Sequence, residues 1–201
     1  MPAMPLRPEC CGADNKRYHA LVSLVLVPLG CAAVIAGWVL FGMLALEATR
    51  DAVSTGVFWL LVLLPLVSGG LVVLPIYWLS LHLNAYRVML SLLLLQGGML
   101  AWLGIAQQHW EFLLIGAGLG LTGGIISAGV AHIRAWAPQC WSGVVIGIHG
   151  AILAGGSFSW WLVPIVTMAY SWRIAAWSLL LPVTIVWLLL WLFVEPEAER
   201  F

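Results

Sequence analysis

LVSLVLVPLGCAAVIAGWVLFGMLAL, residues Leu21 to Leu46, runs for 26 positions without an acidic or basic side chain. A helix rises about 1.5 Å per residue, so about 20 apolar residues cross the roughly 30 Å of hydrocarbon in a bilayer. The run is long enough to span, and too long for the apolar stretch of about 7 to 15 residues in a cleaved signal peptide. Lys16 and Arg17 in front of it therefore flank a retained first span. Five more uncharged stretches follow: Gly56 to Leu81, Val88 to Gln108, Phe112 to Ala131, Ser142 to Met168, and Ile174 to Val194. The fold class is thus an all-α membrane protein, a bundle of six transmembrane helices over 21–194. Residues 1–20 and 195–201 form short tails, and the loops leave no room for a soluble domain.

Composition leads to the same place. Of 201 residues, 63% are hydrophobic and 8% charged. A soluble domain of this length would carry roughly 50 charged side chains, against 16 here. A globule this small has too little interior to hide so much apolar surface. A soluble enzyme, a disordered chain and a nucleic-acid binder are all excluded. The net charge of zero implies no long-range attraction to nucleic acid. The segments are apolar all round, unlike the alternating strands of an outer-membrane barrel.

Orientation follows from basic residues in short loops. With six spans both termini share a side, which collects Arg7, Lys16, Arg17, Arg87, Arg134 and Arg200. The other side receives Arg50 and Arg173. The bias puts both termini in the cytoplasm of a multi-pass protein of the cell inner membrane.

No metal or cofactor is expected. Cys10 and Cys11 adjoin in the amino-terminal tail, while Cys31 and Cys140 lie far apart in the chain. A metal site needs more ligands at closer spacing. No carboxylate pair or nucleophile–base pair supports catalysis, and the scattered histidines offer no haem ligand pair. The glycines are clustered instead. Gly116, Gly120 and Gly124 recur every fourth residue in the fourth span, with Gly123 beside them, and Gly143 and Gly147 repeat the spacing in the fifth. Such faces let helix backbones approach closely in lipid; they also suit a path where little side-chain bulk is tolerated. His149, next to Gly150, lies about mid-membrane. An ionisable group there is a functional candidate, although a neutral imidazole bonded to a carbonyl would satisfy it structurally.

The order of these features resembles a known family. LLPLVSGGLVVLPIYWL (Leu63 to Leu79) leads through the turn HLNAYRVML to the third span. The Gly-rich GAGLGLTGGIISAGVAHIRAW precedes APQCWSGVVIGIHGAILAGGS, and YSWRIAAW opens the sixth span. From about Val39 to Val194 the chain resembles the amino-terminal half of the major facilitator superfamily, most closely its nitrate/nitrite porters. The resemblance implies a six-helix half built of 3+3 helix repeats. It also implies a transmembrane transporter whose substrate lies between two such halves.

The motifs have changed in informative ways. Where the family's turn reads G-x-x-x-D-R-x-G-x-R-R, Tyr77, Leu81, His82 and Asn84 replace the first glycine, the acid, the next arginine and the second glycine. Arg87 is what survives of the charged set. The porters carry an R-x-P in the second helix whose arginine holds the anion, and the counterpart here is Val73-Leu74-Pro75. Their Asn-rich fifth-helix signature stands here as His149 to Gly156 without its amides. The substrate-path candidates are therefore His149, Gly150, Gly147, Gly123, Gly124 and Val73, and the remnant of the turn is His82, Asn84 and Arg87.

Two functions remain in view. One is a half-size transporter of nitrate/nitrite-porter type that needs a second half. Its partners would be the lipid bilayer and another six-helix half, a homodimeric copy or a larger membrane complex. The other is a scaffold or assembly subunit that keeps the packed bundle and has lost transport.

Overall fold

The computed structural model describes residues 14–48, 55–136, 150, 152 and 154–194. Among these residues there are helices and no strand. In chain order they are α1 (Asp14–Ala48), α2 (Thr55–His82), α3 (Ala85–Leu103), α4 (His109–Leu121), α5 (Gly124–Trp136), α6 (Ala154–Ala169), α7 (Trp172–Ser178) and α8 (Leu180–Phe193). Five stretches are long and apolar enough to cross a membrane: Leu21–Leu44, Trp59–His82, Ala85–Leu103, His109–Arg134 and Trp172–Phe193. The α4–α5 and α7–α8 pairs each make up one of these rods. Most of the expected fifth span before α6 lies outside the described residues, so five spans are described rather than six.

Short polar caps set the turns. The Asn84 side chain accepts the Tyr86 N–H at 3.1 Å and starts α3 two residues after α2 ends. The Glu111 carboxylate accepts the N–H groups of Gln107 and Gln108 at 2.6 and 2.8 Å. Those bonds give the first turn of α4 an acidic partner for its unpaired donors. The chain therefore leaves α3 at Leu103 and turns before Gln108, although the apolar run itself continues to that residue. The Ser171 hydroxyl accepts the Ile174 N–H at the start of α7.

One helix lies at the centre. α1 packs against each of the other seven described helices, and none of its residues from 30 to 44 is exposed. Val34, Leu40, Phe41 and Leu44 are wholly shielded. The surrounding helices turn large apolar side chains outward, among them Leu74 on α2, Met168 on α6 and Leu192 on α8. A soluble protein would hide these; hydrocarbon welcomes them.

Small residues draw the helices together along two seams. On the first, a Cβ added at Gly116 would meet Phe41 and Leu64 at 2.9 and 3.4 Å. One at Gly120 would strike the Ser68 hydroxyl and lie 2.7 Å from the Pro65 carbonyl oxygen, and one at Gly124 would lie 2.6 Å from Ile76. The every-fourth-residue glycines thus seat α4 and α5 on α2. On the second seam, Gly155, Ser159 and Val163 present one buried face of α6 to α1. A Cβ at Gly155 would strike the Ala32 carbonyl oxygen, and the Ser159 hydroxyl donates to the Ala36 carbonyl at 2.6 Å.

Gly120→Leu should therefore overpack the α2–α4 seam and cost about 1–3 kcal/mol in unfolding measurements in detergent. Gly70→Leu, at an exposed site with open space around it, should leave stability nearly unchanged. Equal losses at the two positions would contradict the packing.

Candidate functional site

Among the described residues the buried polar side chains are Ser23, Ser80, Gln96, Thr122, Ser127, His132 and Ser159. None is a formal acid or a lysine or arginine. Hydrocarbon supplies no hydrogen bonds, so each polar group needs a protein partner. Ser80 and Ser127 donate to carbonyls of their own helices, at Ile76 and Gly124. The others reach between helices or act at a helix break, and they define the site.

Gln96 is fully buried on α3, and its amide N–H donates to the Ala33 carbonyl of α1 at 2.6 Å. Gly37 makes that reach possible, because a Cβ there would lie 2.6 Å from the amide nitrogen. The amide oxygen of Gln96 has no hydrogen-bond partner among the described residues. A buried acceptor left in that state costs about 1–3 kcal/mol.

The α4–α5 rod is interrupted beside it. At Thr122 and Gly123 the backbone switches to i→i−3 bonds, Thr122 N–H to Leu119 and Gly123 N–H to Gly120. The Thr122 hydroxyl also donates to Leu119 at 2.6 Å, a local bond that competes with the helical ladder. The Leu119 carbonyl takes a further donor from α1, the Trp38 indole N–H at 2.6 Å. Gly69 and Gly123 leave room for that ring, since a Cβ on either would overlap it. Cys31 points its thiol at the Ile125 carbonyl just past the break, at 3.8 Å.

His132 occupies the end of the bundle nearer the α2–α3 turn. It is fully buried, and its Nε2 lies 3.3 Å from the Ser23 hydroxyl of α1. The Tyr86 ring of α3 stands 6.4 Å from it, and the Tyr86 hydroxyl donates to the Trp191 carbonyl of α8 at 3.2 Å. From the sequence His132 reads as an uninformative helix end; its face of α5 in fact turns inward.

The residues singled out from the sequence fall into three places. Gly123 and Gly124 are buried, Gly123 against Trp38 and Gly124 against Ile76 on α2. Val73, one turn before Ile76, is 36% exposed. Gly150 is exposed with open space around it, and His149 and Gly147 lie outside the described residues. His82, Asn84 and Arg87 sit together at the α2–α3 turn. A His82 ring nitrogen lies 2.9 Å from the Trp78 carbonyl and its ring packs on the Trp78 indole; Asn84 caps α3, and Arg87 is exposed. No group of three or more His, Cys, Asp or Glu able to hold a metal occurs among the described residues.

No protein-family model matches the chain. A nitrite extrusion protein of Bacillus subtilis is 27% identical over 158 residues, 78% of this chain. This chain is similar to a transporter. It spans 40% of that relative's length. The long apolar helices mark a multi-pass membrane protein.

Two substitutions separate what Gln96 does for stability from what it holds in reserve. Gln96→Met keeps the length and removes both the donor and the unpartnered oxygen, so stability should stay within about 1 kcal/mol. Gln96→Glu would bury a charge and should cost about 3–5 kcal/mol. Unfolding in nanodiscs checks the order; a Glu variant as stable as the Met variant would place residue 96 in contact with water.

Proposed function

We propose that this chain is a membrane transporter of the major facilitator type, similar to the nitrate/nitrite porters, and that it forms one six-helix half. A second half completes the substrate path. Its place is the cell inner membrane, with both termini in the cytoplasm. The observation that carries this reading is the identity to a nitrite extrusion protein over most of the chain, confined to 40% of that relative's length. The glycine-lined seams and the interrupted α4–α5 rod suit it, because transport requires helices that pack closely and shift against one another. The transported species would be a small inorganic anion such as nitrite or nitrate.

The described residues offer that anion no buried lysine or arginine. An anion away from water needs a positive charge or an array of donors to offset its desolvation. The position matching the porters' arginine is Val73, and none of the buried polar side chains among the described residues is a lysine or arginine. The second half must supply the missing charge. The same observation favours one other reading, a scaffold subunit that retains the bundle without transport.

Native membrane vesicles containing the chain should exchange labelled nitrite faster than vesicles from cells lacking it. Equal rates would favour the scaffold. Purified protein alone in liposomes should stay at the empty-liposome background. Counterflow above that background, abolished in His149→Ala, would make His149 the anion's ligand and remove the need for a second half.

A further inference from the structure

We propose that the α4–α5 junction is a hinge and that the Trp38 indole is the latch that holds it in the conformation seen. This inference concerns the bundle's motion and stands whether or not the chain carries nitrite.

The backbone around Thr122 and Gly123 makes four i→i−3 bonds in close succession: Thr122 to Leu119, Gly123 to Gly120, Ile125 to Thr122 and Ile126 to Gly123. A stretch of this kind in the middle of a membrane-length helix commonly marks a point of bending. Gly123 contributes no side chain to resist rotation, and the Thr122 hydroxyl occupies the Leu119 carbonyl that an unbroken helix would give to the Gly123 N–H. What holds the junction in place comes from outside the rod. Trp38 of α1 donates its indole N–H to that same Leu119 carbonyl. Its ring lies between Gly69 on α2 and Gly123 at the break, where a Cβ at Gly69 would come within 2.5 Å of it. The latch thus joins three helices at one point, and it bears on the one carbonyl where the ladder changes register. Were the ring to withdraw, the carbonyl would keep its Thr122 donors, so the break would lose its tie to α1 without losing local hydrogen bonding. That is the energetic condition for a hinge with two comparable states.

A swing of about 15° at the base of α5, a helix roughly 20 Å long, moves its far end by about 5 Å. Spin labels at Arg134→Cys on α5 and Phe193→Cys on α8, both exposed and at the same end of the bundle, would read that shift. The background has its four native cysteines replaced by serine, and the full chain is placed in nanodiscs. With Trp38 intact, a single narrow distance is expected. Trp38→Phe keeps a ring and removes the donor; it should broaden the distribution or add a second distance about 5 Å away. Gly69→Ala, whose Cβ would come within 2.5 Å of the ring and displace it, should do the same and serves if Trp38→Phe does not fold. Trp187→Phe is the matched control, since it deletes an indole bond from α8 to the Leu90 carbonyl of α3, and it should change nothing. A distribution unmoved in Trp38→Phe and Gly69→Ala, or one broadened equally by Trp187→Phe, would overturn the latch.

Discussion

The bundle is organised by the way α1 is held. In a bilayer each helix satisfies its own backbone, and lipid tails are as apolar as leucine, so burial alone does not tell one helix face from another. Direction has to come from close packing and from the few polar groups that cross between helices. Here most of those groups converge on α1, while Tyr86, Trp177 and Trp187 tie α3 to α7 and α8. Gln96 of α3 and Ser159 of α6 donate to its Ala33 and Ala36 carbonyls. Its own Trp38 and Cys31 reach the Leu119 and Ile125 carbonyls on either side of the α4–α5 break, and its Ser23 meets His132. Each such bond is worth only about 0.6 kcal/mol in a membrane. Their value is register: they set which turn of α1 faces which turn of its neighbours, and glycine then lets the backbones close.

That division explains what could be read beforehand. Apolar length announces a span wherever it occurs, so the runs from Leu21, Gly56 and Phe112 were legible as helices. The Gly116–Gly120–Gly124 spacing announced either a close contact or a path of little side-chain bulk, and the contacts at all three positions are close ones. The end of α3 was not legible from hydropathy, since Glu111 decides it by capping from eight residues further on. The interruption at Thr122–Gly123 hides inside an apolar run for a similar reason: threonine and glycine scarcely lower its hydropathy, and the competing donor, Trp38, is on another helix.

The interior groups were the hardest to foresee. Gln96 lies unmarked in the middle of LLLLQGGML, and its partner is a backbone carbonyl that no composition or motif marks. His132 was passed over because it lies near Arg134 at a helix end, yet its side chain turns inward to Ser23 while Arg134 is exposed. Val73 shows the converse. A motif match drew attention to it, and the structure leaves it 36% exposed on α2 with no polar group of its own to offer.

The central position of α1 is the claim on which seams, latch and site all rest. It is most directly tested by carbene footprinting with a lipid-soluble diazirine on the intact protein in nanodiscs. Peptides from α2, α6 and α8, which turn Leu74, Met168 and Leu192 outward, should be labelled heavily, and residues 30–44 of α1 should be protected. Labelling of residues 30–44 as strong as that of α2 would put α1 against lipid and contradict the account.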